Sequence, residues 1–95
     1  MNSSNPRWKT VWITGASSGL GDHVARILAR QRCKVAISAR SEDKLNAIAE
    51  SSENISAYPL DVTDVAKCRE TAAAIEAELG QIDLALFCAG AWFQS

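Results

Sequence analysis

Short apolar runs alternate along this chain with stretches whose apolar residues recur every three or four positions. Val11-Trp12-Ile13, inside Lys9 to Thr14, is a β-prone run ended by Gly15 and predicts a buried strand. From Gly19 to about Arg32, Leu20, Val24, Ile27 and Leu28 fall at helical spacing. Lys34 to Ala39 carries Val35-Ala36-Ile37, a second buried strand. Ser41 then suits a helix N-cap, with Glu42 and Asp43 in the first turn and Leu45, Ile48 and Ala49 on one face. Ile55 to Leu60 is a weaker strand whose Pro59 removes a ladder donor, so it belongs at a sheet edge. Thr63 is expected to cap a long helix with an apolar stripe of Val65, Cys68, Ala72, Ile75 and Leu79, and Gly80 suits a left-handed residue just past its end. Ile82 to Cys88 is nearly all apolar, the signature of a strand buried on both faces.

The predicted order is β-α-β-α-β-α-β. Strands alternating with helices imply a parallel sheet built from crossover connections, an α/β class. No repeat, low-complexity segment or linker divides the 95 residues, so they form one domain or part of one, with residues 1–7 expected to be flexible. The hydrophobic fraction of 47% is that of an ordinary globular chain. A net charge of −1 with mixed signs gives no basic stripe, which argues against nucleic acid and anionic membranes as partners. No run approaches the length of a membrane span, and the polar start MNSSNPRWK does not read as a secretion signal, pointing to the cytoplasm. Cys33, Cys68 and Cys88 are odd in number and widely spaced, which suits buried small hydrophobes better than a disulfide framework. With one histidine, His23, a zinc site is not expected, and no metal site is assigned.

The chemistry is concentrated in Thr14-Gly15-Ala16-Ser17-Ser18-Gly19-Leu20-Gly21, a glycine-rich turn between the first strand and the first helix. Such a turn lets phosphates approach a helix N-terminus, whose unpaired N–H groups and positive dipole bind anions. The G-x-G-x-x-G spacing fails, because Ser17 and Leu20 stand where it needs glycine. The P-loop spacing fails too, because Asp22 follows Gly21.

The pattern present, T-G-x-x-x-G-x-G, closely resembles the cofactor motif of the short-chain dehydrogenase/reductase family, over essentially all of residues 8–92. The resemblance implies a Rossmann-like, doubly wound parallel sheet, partial, with strand order 3-2-1-4. It also implies that Gly15 makes the turn, Gly19 admits the pyrophosphate and Gly21 lets the helix pack on the sheet. Ser17 and Ser18 would offer hydroxyls to phosphate or ribose. Where NAD-using members place an acid after the second strand, this chain has Ala39-Arg40. A guanidinium there can pair bidentately with a 2′-phosphate, so the implied cofactor is NADP(H). Asp61-Val62 resembles the family's adenine-binding turn. Cys88-Ala89-Gly90 resembles the end of its N-N-A-G pattern, except that Phe87 and Cys88 replace both asparagines. The implied cofactor-binding residues are thus Gly15, Ser17, Ser18, Gly19, Leu20, Gly21, Arg40, Asp61, Val62, Ala89 and Gly90. Trp92, just past the fourth strand, is a candidate for a substrate entrance.

No catalytic residue is assigned. The family's serine and Tyr-x-x-x-Lys pair come later in its fold, and Tyr58, the only tyrosine, has no lysine four residues on. The first reading is the cofactor half of an oxidoreductase that reduces carbonyls or oxidises alcohols, with a small substrate only where the remaining half is present. A non-catalytic nucleotide-binding module and an inactive remnant are the alternatives. Without a fifth strand, Leu84, Leu86 and Phe87 would form an apolar edge. These residues alone are therefore expected to be marginally stable and prone to associate, and the family's habit implies a homo-oligomer.

Overall fold

Val11, Ile13, Val35 and Ile37 lose all contact with solvent, and their period-two spacing aligns one face of two neighbouring strands. In the computed structural model, which describes residues 9–15 and 19–87, those strands are β1 (Thr10–Thr14) and β2 (Lys34–Ser38). Around them run α1 (Gly19–Arg30), α2 (Glu42–Ala49), β3 (Ile55–Ala57), α3 (Val65–Leu79) and β4 (Leu84–Phe87). The four strands make one parallel sheet in the order β3-β2-β1-β4, with Ile13 opposite Ile37 on one side and Leu86 on the other. The Rossmann-like order expected from the sequence is the one observed.

The order reverses at β1, and right-handed crossovers then put α1 and α2 on one face and α3 on the other. On the first face Ala25, Leu28, Leu45 and Ile48 join Val11, Ile13, Val35 and Ile37 in a single core. On the second, the Thr10 hydroxyl donates to the Leu79 carbonyl at 3.2 Å. There too the Trp12 indole N–H donates to the hydroxyl of fully buried Ser38 at 2.9 Å.

Several local expectations need correction. The first helix stops at Arg30 because Arg32 takes φ 70°, while the N–H groups of Arg32 and Cys33 return to the carbonyls of Ala29 and Leu28. That bonding closes a Schellman motif, and buried Cys33 supplies its apolar contact. Ser41 stands at the N-cap of α2 as expected, but its hydroxyl makes no cap bond. The third strand is shorter than expected, yet its ladder continues: Tyr58 donates to Ile37 and Leu60 to Ala39 at 2.8 and 3.0 Å. Pro59 occupies the alternate position facing away from β2, where a missing N–H costs nothing.

The third helix is capped by Asp64, whose carboxylate accepts from the Lys67 N–H at 3.1 Å, and not by Thr63. Its predicted stripe is covered mainly at one position: Ile75 is fully buried, whereas Val65 is 66% exposed. Gly80 takes φ 109°, ψ 174°, a conformation reserved for glycine but extended, not left-handed helical. The fourth strand is not buried on both faces. Leu84 and Leu86 lean on the core while Ala85 and Phe87 are exposed, because among the described residues β4 has a neighbour strand, β1, on one side only. No helix of the described residues is long and apolar enough to cross a membrane.

Candidate functional site

The C-terminal ends of all four strands open into one cleft of about 400 Å³, lined by Gly15, Ala39, Arg40, Ser41, Leu60, Asp61, Val62, Thr63 and Phe87. Its size lies within the range of small-molecule sites. Its place is set by topology: where strand order reverses, the connections leave β1 and β4 in opposite directions and a crevice remains between them.

Gly15 ends β1 with φ 74°, in the region that favours glycine, and its N–H donates to the Ser38 carbonyl at 2.7 Å. The turn is thereby anchored to β2. The Thr14 hydroxyl donates to the Leu86 carbonyl at 3.3 Å, tying the same end of β1 to β4. At Gly19, the first residue of α1, a Cβ would meet nothing within 4 Å among the described residues. That is open space beside a helix N-terminus, the end toward which backbone N–H groups point. Leu20 is exposed beside it and Gly21 is buried in the same turn.

Arg40 follows β2 on the exposed lip of the cleft. Across from it, Asp61 Oδ1 accepts from the Thr63 N–H at 2.9 Å and from the Thr63 hydroxyl at 2.7 Å. The Asp61 carbonyl accepts from the Asp64 N–H at 3.0 Å, so this turn runs straight into the cap of α3. The two Thr63 bonds, with the Arg40 guanidinium adding to them, hold the Asp61 carboxyl below its usual range. Asp61 is therefore an acceptor at neutral pH. Thr63, read from sequence as a helix cap, is spent instead on fixing that carboxylate.

Gly15, Arg40, Asp61 and Val62 converge on the cleft, while Gly19, Leu20 and Gly21 belong to the first turn of α1. Ser17, Ser18, Ala89, Gly90, Cys88, Trp92 and residues 1–7 lie outside the described residues. Sequence reasoning did not put Ser41, Leu60 or Phe87 in the site. Leu60 and Phe87 read as strand residues, and the only available signal was their position at strand ends.

A second cavity, about 460 Å³, lies at the opposite end of the sheet and is lined by Lys9, Thr10, Arg32, Lys34, Leu79, Gly80, Gln81 and Asp83. It is slightly larger, but it faces the N-terminal strand ends. Its carboxylate is also committed, since Asp83 Oδ2 accepts from the N–H groups of Lys9 and Thr10 at 2.9 and 3.0 Å. No group of three or more potential metal ligands occurs among the described residues.

Residues 9–95 match the short chain dehydrogenase family. The chain is 37% identical over 94 residues to 2,3-dihydro-2,3-dihydroxybenzoate dehydrogenase of Bacillus subtilis, covering 95% of this chain and 36% of that protein. Its fold superimposes on a variant of actinorhodin polyketide ketoreductase with NADPH (TM-score 0.79, 25% identity, 83% of this chain and 32% of the other). It also superimposes on 3-ketoacyl-(acyl-carrier-protein) reductase of Brucella melitensis complexed with NADH (TM-score 0.77, 27% identity, 81% and 32%). The chain thus spans about a third of the length of these relatives. It belongs to the short chain dehydrogenase family.

Proposed function

We propose that these residues form the NADP(H)-binding part of an oxidoreductase that interconverts a carbonyl and an alcohol. The observation that carries the reading is the convergence of Gly15, Arg40 and Asp61 on one cleft at the C-terminal strand ends. The residues present fit a dinucleotide. The open position beside Gly19 and the positive end of the α1 dipole suit a pyrophosphate. Arg40 suits a 2′-phosphate, which it would bind with two charge-assisted hydrogen bonds. Asp61, kept ionised by Thr63, accepts from the adenine amino group. When bound, the cofactor supplies or accepts a hydride.

The relatives solved with NADPH and with NADH leave either dinucleotide open on family grounds. Here the choice of NADP(H) rests on Arg40 and on the absence of an acid at Ala39. Ser17 and Ser18 are proposed as further donors to the cofactor, and Ala89 and Gly90 as the backbone beside the nicotinamide ribose.

Tyr58 does not supply the proton that such a reaction needs. Its hydroxyl donates to Glu78 on α3, and burial together with that carboxylate pushes its pKa up to about 12. Proton transfer is accordingly assigned to residues outside those described.

Arg40→Asp tests the cofactor reading. Removing a charge-assisted pair and adding a like charge is worth about 10- to 100-fold in NADPH affinity. NADH affinity should hold or rise, and titration calorimetry reads both. An unchanged NADPH-to-NADH ratio removes Arg40 from the site, and no binding of either dinucleotide removes the reading.

A further inference from the structure

The cavity of about 460 Å³ at the N-terminal strand ends has no part in the cofactor reading, yet three of its lining residues are exposed cations. Lys9 leads into β1, Arg32 stands in the turn after α1, and Lys34 opens β2. They are scattered in sequence and make no basic run. Parallel pairing brings them together, with the Lys34 N–H donating to the Lys9 carbonyl at 2.8 Å. All 11 Asp and Glu residues of the chain are among the described residues. The ion pairs they form there are Arg26–Asp22 and Lys67–Glu70, and neither takes in a cation of this cavity. The carboxylate in the cavity wall, Asp83, is turned to backbone, its Oδ2 accepting from the Lys9 and Thr10 N–H groups. The bonds that close this end of the sheet thus leave its positive charge unmatched.

Arg32 supplies a second, independent observation. At φ 70° it holds the left-handed position that ends α1, where glycine fits without strain and a long side chain does not. The turn itself asks only for glycine or asparagine, so what arginine adds at that place is its guanidinium. A backbone outlier of this kind points to a use for the side chain it carries. A concave site with excess positive charge concentrates anions. Guanidinium N–H groups match a phosphate bidentately, and lysine ammoniums add point charges to it. The size and concavity of the cavity suit a small molecule.

We propose that this cavity is a binding site for a small phosphate-bearing anion, held by Arg32 and Lys34 with Lys9 beside them. It shares no lining residue with the cleft at the C-terminal strand ends and does not depend on the cofactor reading. Losing one charge-assisted contact to phosphate should weaken such a ligand about 10-fold.

Pyrophosphate is the probe, titrated into the full chain by calorimetry and located by amide chemical shifts. Binding is expected with a dissociation constant below about 1 mM, weakening as salt is raised. The amides of Thr10, Lys34 and Gln81 should shift. Arg32→Gly removes the guanidinium and the backbone strain together, so affinity should fall about 10-fold while the melting temperature holds or rises. Lys34→Gln should lose about as much, and Arg40→Asp should leave these shifts and this affinity unchanged. Unchanged affinity in Arg32→Gly or Lys34→Gln overturns the proposal. So does an absence of binding, or shifts confined to Gly19–Gly21, since the anion is then taken by the glycine-rich turn. Binding to vesicles of anionic phospholipid with none to free pyrophosphate overturns the choice of a small ligand. If NADPH fails to bind while pyrophosphate binding still depends on Arg32, the cofactor reading falls and this one stands.

Discussion

Replacing Ile75 by alanine probes the weakest joint of the fold. Ile75 is the fully buried side chain of α3, a 15-residue helix whose first turn is largely in water. The helix is otherwise held to the sheet by the Thr10–Leu79 bond at 3.2 Å and by the Tyr58–Glu78 bond. Truncating a buried isoleucine costs about 2–5 kcal/mol. Few neighbouring groups can close in from the exposed side of α3, so an intermediate loss of about 3 kcal/mol is expected. A net hydrogen bond returns only about 1 kcal/mol. The helix should therefore release from the sheet before α1 and α2, which share the larger core. Urea unfolding gives the total, and amide hydrogen exchange gives its distribution. Protection across Val65–Leu79 should fall much further than protection across Gly19–Arg30. The Asp61–Thr63 turn is bonded to the start of α3, so cofactor affinity should fall as well. A loss below about 1 kcal/mol, or equal loss of protection in both helices, would refute the claim that one side chain docks α3.

Two further outcomes can be checked independently. Tyr58 should titrate with a midpoint near 12 in absorbance at high pH. Its folded value lies above the ordinary tyrosine value of 10, so its contribution to stability is whole below that pH and is lost as pH rises toward the folded midpoint. Tyr58→Phe should lack that decline. Asp83→Ala should cost about 1–2 kcal/mol in urea unfolding, a discounted figure for an exposed carboxylate that accepts from two backbone amides. A loss within experimental scatter would mean that water replaces those bonds freely.

The sheet was legible because its signals were local and agreed with one another. Val11-Trp12-Ile13 and Val35-Ala36-Ile37 are too short and too apolar for anything but inner strands, and Pro59 correctly sent β3 to the edge. Arg40 and Asp61, singled out through the family resemblance, fall on one cleft because each follows a strand within a few residues, and parallel strands bring their C-terminal connections to the same end of the sheet. The expectations that failed depended on competition between neighbours. Thr63 and Asp64 both suit an N-cap, and the choice fell to Asp64 because Thr63 was engaged by Asp61. The stripe on α3 has the right spacing, but periodicity says which side chains share a face and not whether a second layer covers it. For the same reason the apolar run of β4 predicted burial that a strand with a single neighbour does not have. Phe87 was visible as a departure from the family pattern, yet its place in the cleft required the register of β4 against Thr14.

The two ends of the sheet are built to opposite rules, and the contrast bears on function. At the N-terminal end, backbone and side chain are spent on closure. Asp83 binds the amides of Lys9 and Thr10, the Thr10 carbonyl accepts from the Asp83 N–H at 2.9 Å, and Lys9 accepts from Lys34 at 2.8 Å. The Asp83 bonds join the start of β1 to a residue more than seventy positions away and leave that cavity's carboxylate occupied. At the C-terminal end, bonds fix the frame and leave the chemistry open. Gly15 is held through its N–H, Asp61 is aimed by Thr63, and Arg40 and Phe87 line the cleft as exposed residues. Apolar surface exposed there lowers the stability of the empty protein, and a ligand that covers it returns that free energy as binding. Cofactor should accordingly stabilise this fold most at the strand ends and the first turns of α1 and α3, where the exposed hydrophobic side chains are concentrated.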